Sequence, residues 1–329
     1  MTGADEANVG GVARMPNRAI AGGDAATIEV DGLTKRFGDV QAVADLSFRV
    51  RGGAVTGFLG PNGAGKTTTL RMVLGLARPT AGHALIEGVP YRRLEQPARV
   101  VGASLERSGA HPGRSARNHL RQLATATGLP SSRVEEALAA VDLTGAADRR
   151  VGGYSLGMRQ RLALAVALLG DPAILVLDEP ANGLDPQGIR WLRDFLRTMA
   201  GEGRTVLVSS HVLAEVAQTV DDVVVISRGR LVHQGPIQEL INRTSGDAEL
   251  RVRSPRGEAL AAELRRAGGS VRVDGEGSLL VTGVSPEIVG EVACSAALPL
   301  YELSERSASL EDVFLQLTGP PSHPDVAGP

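Results

Sequence analysis

Gly60, Pro61, Asn62, Gly63, Ala64, Gly65, Lys66 and Thr67 fit the spacing G-x-x-x-x-G-K-[ST]. The residue types suit phosphate. Gly60, Gly63 and Gly65 let the backbone wrap close to an anion with its N–H groups pointing inward, and a helix starting at this point adds positive potential. Lys66 supplies a point charge for β- and γ-phosphates, Thr67 offers a hydroxyl to Mg²⁺, and Thr68 is placed to reach an α-phosphate. The loop follows the β-type run at residues 56–59 and precedes a helical run through Leu70 and Val73, the context such a loop requires.

A second acidic element should accompany it. Residues 174–177 are apolar and end in Asp178 and Glu179, which puts two carboxylates at the carboxyl edge of a sheet. Asp178 there would hold Mg²⁺ through water, and Glu179 would polarise the water that attacks a γ-phosphate.

The elements that must position these groups are legible as short β-rich runs at 28–30, 46–50, 56–59, 174–178, 206–209 and 223–226, alternating with helical patterns. The runs at 174–177 and 223–226 are apolar without alternation, as expected of strands covered on both faces of a parallel sheet. Ile189, Leu192, Phe195, Leu196 and Met199 form one apolar helical face after Pro186, and Ser132 with Glu135 reads as a capping box. The fold class is therefore α/β over residues 27–243. Beyond it the order βαββαβ, with strands at 250–252, 271–273, 279–282 and 300–303, implies a small α+β domain over 244–319. A terminal helix at 310–317 would be capped by Ser309 with Asp312. Residues 1–26 and 320–329 read as disordered tails.

Composition narrows the class. The chain has 329 residues, 43% of them hydrophobic and 22% charged, with a formal net charge of −2, so no global basic field suits it to nucleic acid. No apolar run approaches the roughly 18 residues of a membrane span, no signal peptide is visible, and Cys294 is the only cysteine. Positive charge is almost all arginine. Lys35 and Lys66 are the only lysines.

Tyr154-Ser155-Leu156-Gly157-Met158-Arg159-Gln160 resembles the signature motif of ATP-binding cassette (ABC) ATPases, with Leu156 in place of a glycine and Met158 in place of a glutamine. The resemblance runs over about residues 27–240. It implies a P-loop ATPase domain with a helical subdomain, ATP and Mg²⁺ as ligands, and a second copy of the chain as partner. In the family this Ser and Gly bind the γ-phosphate of ATP held by the other subunit, so Ser155 and Gly157 would act in trans. Asn182-Gly183-Leu184-Asp185 resembles the D-loop, with Asp185 coupling the two sites, and His211 after Ser209-Ser210 is similar to the switch histidine. Phe37 matches the aromatic that stacks on adenine, a buried core position being the alternative. Glu106 stands where many relatives carry a Q-loop glutamine and would reach Mg²⁺ or its waters. Residues 107–118 would meet a permease.

The C-terminal run from Ala308 to Gly319 resembles bacterial multidrug-export ATPases of the daunorubicin- and bacitracin-resistance kind. The resemblance implies the ATP-hydrolysing subunit of an exporter, peripheral at the cytoplasmic face of the membrane, coupled to a separate multi-span permease. A soluble ABC ATPase acting on a macromolecular complex is the alternative, and a sensor role for the small domain a third reading.

Overall fold

A computed structural model describes residues 26–105, 109–212, 217–245, 249–274, 278–306, 314–315 and 317–319. The two tails, Glu106, the first residues of the 107–118 segment, and most of the terminal helix with its Ser309 and Asp312 cap lie outside the described residues. The chain divides into two compact units, Met1–Gly235 and Pro236–Pro329.

In the first unit, strands β1 (Ala26–Phe37), β2 (Val40–Arg51), β3 (Val55–Leu59), β4 (Ala81–Ile86), β5 (Val101–Ser104), β6 (Ile174–Leu177), β7 (Thr205–Ser210), β8 (Asp222–Ser227) and β9 (Arg230–Pro236) alternate with helices α1 (Lys66–Val73), α2 (Pro97–Val100), α3 (Ala116–Ala126), α4 (Ser132–Ala140), α5 (Leu156–Leu168) and α6 (Pro186–Gly201). A six-stranded sheet has the order β5-β6-β7-β3-β8-β9, and a three-stranded antiparallel sheet the order β2-β1-β4. The pairs β5/β6, β6/β7, β7/β3 and β3/β8 are parallel, which brings the carboxyl ends of β3, β6 and β7 side by side. Every residue of β3, β6 and β7 is buried, as the unbroken apolar character of 174–177 leads one to expect. Phe58 of β3 and Phe48 of β2 stack with ring centroids 5.3 Å apart, joining the two sheets in one core with Ile28, Leu33, Leu70 and Val176.

The helical part, α3 to α5, is fastened by arginines. The Arg117 guanidinium donates to Glu135 and to Asp148 (2.9 Å), and these two bonds push its pKa up. Tyr154, just before α5, donates its hydroxyl to the Ala146 carbonyl at 2.7 Å, and burial pushes its phenol above the ordinary value.

Ser132 and Glu135 do not form the expected capping box. Ser131 holds the N-cap position with helical φ and no side-chain cap bond. The turn already starts at Pro130, whose carbonyl accepts from Arg133 N–H at 3.1 Å, and Glu135 is engaged by Arg117 instead.

The second unit opens with α7 (Ile237–Ser245) and continues as β10 (Glu249–Arg253), α8 (Gly257–Arg266), β11 (Ser270–Val273), β12 (Leu279–Thr282), α9 (Pro286–Ser295) and β13 (Glu302–Arg306). Its antiparallel sheet has the order β11-β12-β10-β13, the split βαβ arrangement implied by the element order. Leu250, Val252, Leu260, Leu264, Val281 and Val289 form its core. The last strand lies at 302–306 rather than 300–303, because Glu302 to Arg306 pair in register with Arg253 to Glu249.

Candidate functional site

The loop between β3 and α1 is shaped by close backbone approaches. A Cβ at Gly60 would stand 2.5 Å from the Ile226 carbonyl oxygen, and one at Gly65 2.5 Å from that of Ala42. Gly65, with φ +102°, is also the N-cap of α1, a conformation that L side chains resist. Gly63 shares the positive φ (+80°) but has open space around it. The loop is propped from behind by Gly229, whose N–H donates to Ala64 O at 2.9 Å while its carbonyl accepts from Ala44 N–H at 2.9 Å.

Lys66, at the start of α1, is 5% exposed and donates to the Gly60 carbonyl at 2.6 Å. Its ammonium also lies 3.1 Å from Glu179 Oε1. The other oxygen of that carboxylate meets His211 Nδ1 at 2.8 Å. Glu179 thus bridges a buried cation and an imidazole. It does so from a left-handed backbone (φ +49°), an unusual conformation for a long side chain at the end of a strand.

Thr67 Oγ1 donates to Asp178 Oδ2 at 2.6 Å. Asp178 Oδ1 accepts from Ser209 Oγ, and the same Ser209 oxygen accepts from the Glu179 N–H at 2.9 Å. The Asp178 N–H donates to Ser104 O at 2.7 Å. The parallel register explains this meeting: Leu177 pairs with Val208 and with Ser104, so the next residues on β6 and β7 are Asp178 and Ser209. Ser209 was not singled out from sequence; its signal is that pairing, which a lone serine in a β-rich run does not display.

The donor set suits a hard cation beside phosphate. A hydroxyl and a carboxylate already share one hydrogen bond, and among the described residues no cluster of three or more His, Cys, Asp or Glu forms an all-protein metal cage.

Four predicted residues, Phe37, Ser155, Gly157 and Asp185, are not joined to this cluster by these bonds. Phe37, at the end of β1, is 55% exposed, so it is not a core residue; the Lys35 ammonium lies 4.8 Å from its ring centroid and donates to Arg78 O at 2.8 Å. Ser155 is exposed and caps α5, accepting from Met158 N–H at 3.2 Å, with Gly157 in the first turn. Asp185 caps α6 in the same way, accepting from Gly188 N–H at 2.7 Å. Both are helix N-termini of the kind that attract anions.

The chain matches the family model described as ABC transporter over residues 43–182, and over 248–311 that of a domain of unknown function, DUF8746. It is 38% identical to the Nod factor export ATP-binding protein I of Burkholderia orbicola, covering 89% of this chain and 97% of that one. It is 34% identical, with the same coverage, to the bacitracin transport ATP-binding protein BcrA of Bacillus licheniformis. An uncharacterized ABC transporter ATP-binding protein of Bacillus subtilis, YhcH, is 36% identical across 89% of this chain and 96% of its own. Among solved structures, an ATP-binding subunit of an ABC transporter superposes with a TM-score of 0.59 at 26% identity, over 67% of this chain and 93% of that one. CbiO1 of Clostridium perfringens, part of an ABC transporter complex, gives 0.60 at 25% identity over 74% and 97%. Sequence and fold agree that the chain belongs to the ABC transporter ATP-binding proteins, with the P-loop ATPase fold of that family.

Proposed function

We propose that this protein binds and hydrolyses ATP as the energising subunit of an exporter, driving a separate multi-span permease from the cytoplasmic face of the membrane. Export is supported by the Nod factor export ATP-binding protein among its relatives, and the cargo class we assign, drugs or antibiotics, by the bacitracin transport ATP-binding protein. Residues 27–243 are the nucleotide-binding part and 244–319 an accessory part. Among the described residues no helix is long and apolar enough to cross a membrane, so the path for cargo is assigned to the permease.

The observation that carries the reading is the Glu179 bridge between Lys66 and His211, next to the Thr67–Asp178 pair. ATP would enter with its adenine on Phe37 and its phosphates in the loop of Gly60, Pro61, Asn62, Gly63, Ala64 and Gly65, with Thr68 at the α-phosphate. A γ-phosphate competes with Glu179 for the Lys66 ammonium. Released from Lys66, the Glu179 carboxylate is free to take a proton from the attacking water, with His211 holding its other oxygen and the γ-phosphate edge. Thr67 and Asp178, joined by Glu106, would hold Mg²⁺, which supplies charge neutralisation between β- and γ-phosphates.

The set is incomplete in one chain. Ser155 caps the helix whose first turn holds Gly157 and meets residues 183–184, and we assign both to the γ-phosphate of ATP in a second copy, with Asp185 linking the two sites across a head-to-tail dimer. Closure around two ATP and reopening after hydrolysis would then move the permease through residues 107–118.

Glu179→Gln tests this. We expect ATP binding within about threefold of the unsubstituted protein, hydrolysis lowered at least about 100-fold, and a stable dimer with ATP on a sizing column. A Glu179→Gln protein that stays monomeric with saturating ATP contradicts the sandwich. Purification from native membranes in mild detergent separates the exporter reading from action on a soluble complex: a stoichiometric multi-span partner supports the first, and ribosomal or repair proteins the second.

A further inference from the structure

The first turn of α5 meets the segment that leads into α6. Leu156 lies over Gly183: a Cβ added there would stand 2.5 Å from Leu156 Cδ2. Leu184 lies over Gly157: a Cβ there would stand 3.8 Å from Leu184 Cδ2. Leu156 therefore rests on Gly183, whereas a side chain at Gly157 would meet Leu184 only at ordinary contact distance. Gly183 has a φ of +74°, and Leu156 remains 41% exposed, so this contact is not part of a closed core.

A second fastening sits further along the same two helices. The Arg161 guanidinium of α5 lies 4.1 Å from the ring centroid of Trp191 on α6. Both side chains reach Asp142, Arg161 at 3.3 Å and the Trp191 indole N–H at 3.0 Å. Trp191 in turn stacks on the fully buried Phe195, with centroids 5.4 Å apart. The Arg161–Trp191 contact lies apart from the Leu156–Gly183 one, so α5 is joined to the chain around the start of α6 at two places.

We infer that Leu156 is a positioning residue: it locks the Ser155–Gly157 turn to the 182–185 segment of its own chain, so that both helix N-termini are presented to the partner's ATP as one preassembled unit. The inference rests on the dimer reading above. Its physical basis is that two anion-attracting helix ends held in fixed relation lose little freedom when a γ-phosphate arrives. Leu156 itself touches no nucleotide in this account. It acts through Ser155 and Gly157, and therefore on the partner's site and not on ATP bound in its own phosphate loop.

The test exploits the collision. In a Glu179→Gln background, ATP-driven dimerisation is measured by sedimentation, and ATP binding to the monomer by a fluorescent ATP analogue. Gly183→Ala carries two burdens, a positive φ and the clash with Leu156, and only the clash is relieved by trimming the leucine. We expect Leu156→Ala alone to weaken the dimer about tenfold with monomer binding within about twofold, Gly183→Ala to weaken it by pushing the leucine off its seat, and the two together to weaken it no more than about threefold beyond Leu156→Ala. If Gly183→Ala does not fold, Leu156→Phe against the native Gly183 applies the same collision from the other side, with the same expectation. A Leu156→Ala protein that dimerises as its parent does, or an equal loss of monomer ATP binding, overturns the inference while leaving the dimer reading intact. Absence of any ATP-driven dimer in the parent Glu179→Gln protein overturns the dimer reading, and this inference with it.

Discussion

Glu179 is held by charge on one side and an imidazole on the other, and its backbone is held by Ser209. Ser209 therefore serves two neighbouring carboxylate residues with one oxygen. Orienting groups of this kind typically matter by factors of ten to a hundred. Ser209→Ala should lower hydrolysis about tenfold or more and raise the Mg²⁺ concentration needed for half-maximal rate, with nucleotide affinity without Mg²⁺ little changed. A steady-state Mg²⁺ titration beside a metal-free binding measurement checks this; an unchanged Mg²⁺ requirement would contradict it. At this scale the sequence was most informative where spacing carries the chemistry. Gly60 to Thr67 could be read because loop geometry demands glycines at set intervals, and Asp178 and Glu179 because they end an apolar strand. Ser209 could not, since its role exists only once β6 and β7 are laid side by side. Phe37 lay between these cases: its type suited both a core and a base platform, and its exposure excludes the core.

Elements show where pattern reading succeeds and where it does not. Strands β3, β6, β7 and β8 lie where the β-rich runs placed them, β6 and β8 through unbroken hydrophobicity. The antiparallel sheet was only partly legible: β1 was read as three residues instead of twelve, and β4 not at all. The cause is visible in the pairing, since β1 changes register several times against β2, and each irregularity breaks the alternation by which a strand is recognised. The failed capping box at Ser132 has a local origin, a proline-initiated turn two residues ahead. Between elements, Asp171 joins two arginines: Arg204 at 2.7 Å from the start of β7 and Arg133 at 3.5 Å from α4, each with an acidic neighbour besides, Glu202 and Glu136. Arg133 also donates to the Leu168 and Leu169 carbonyls at the end of α5. Asp171→Ala should destabilise the first unit by roughly 1–3 kcal/mol, since each arginine keeps one carboxylate. For a unit of this size that is a fall of about 2–12 °C in its melting temperature, measurable by scanning calorimetry. No change would show that Glu136 and Glu202 suffice.

For the whole molecule, the two units have separate cores that share no residue. Leu264 is fully buried in the second, and Leu264→Ala should cost that unit about 2–5 kcal/mol. The expected thermogram has two transitions, of which Leu264→Ala lowers one and ATP raises the other. A single transition moved by both would mean that the units unfold together. The architecture of the second unit was legible from its element order, because its helices and strands each have their own periodicity. The proposed division of the reacting groups between two copies comes from the family resemblance, since no residue pattern in one chain displays it. Lys66, Thr67, Asp178, Glu179 and His211 meet within one chain, while Ser155 caps a helix packed elsewhere.

That division is the central claim, and mixing two inactive proteins tests it most directly. Lys66→Ala removes the phosphate lysine and Ser155→Ala the signature hydroxyl, and each homodimer then has both sites broken. A heterodimer of the two has one site with both groups intact. If the sites are shared between copies, mixing equal amounts restores ATP hydrolysis to as much as about a quarter of the unsubstituted rate, since half the dimers are mixed and each has one intact site of two. A mixture no more active than the mean of its two components, with exchange of subunits verified, would contradict the account.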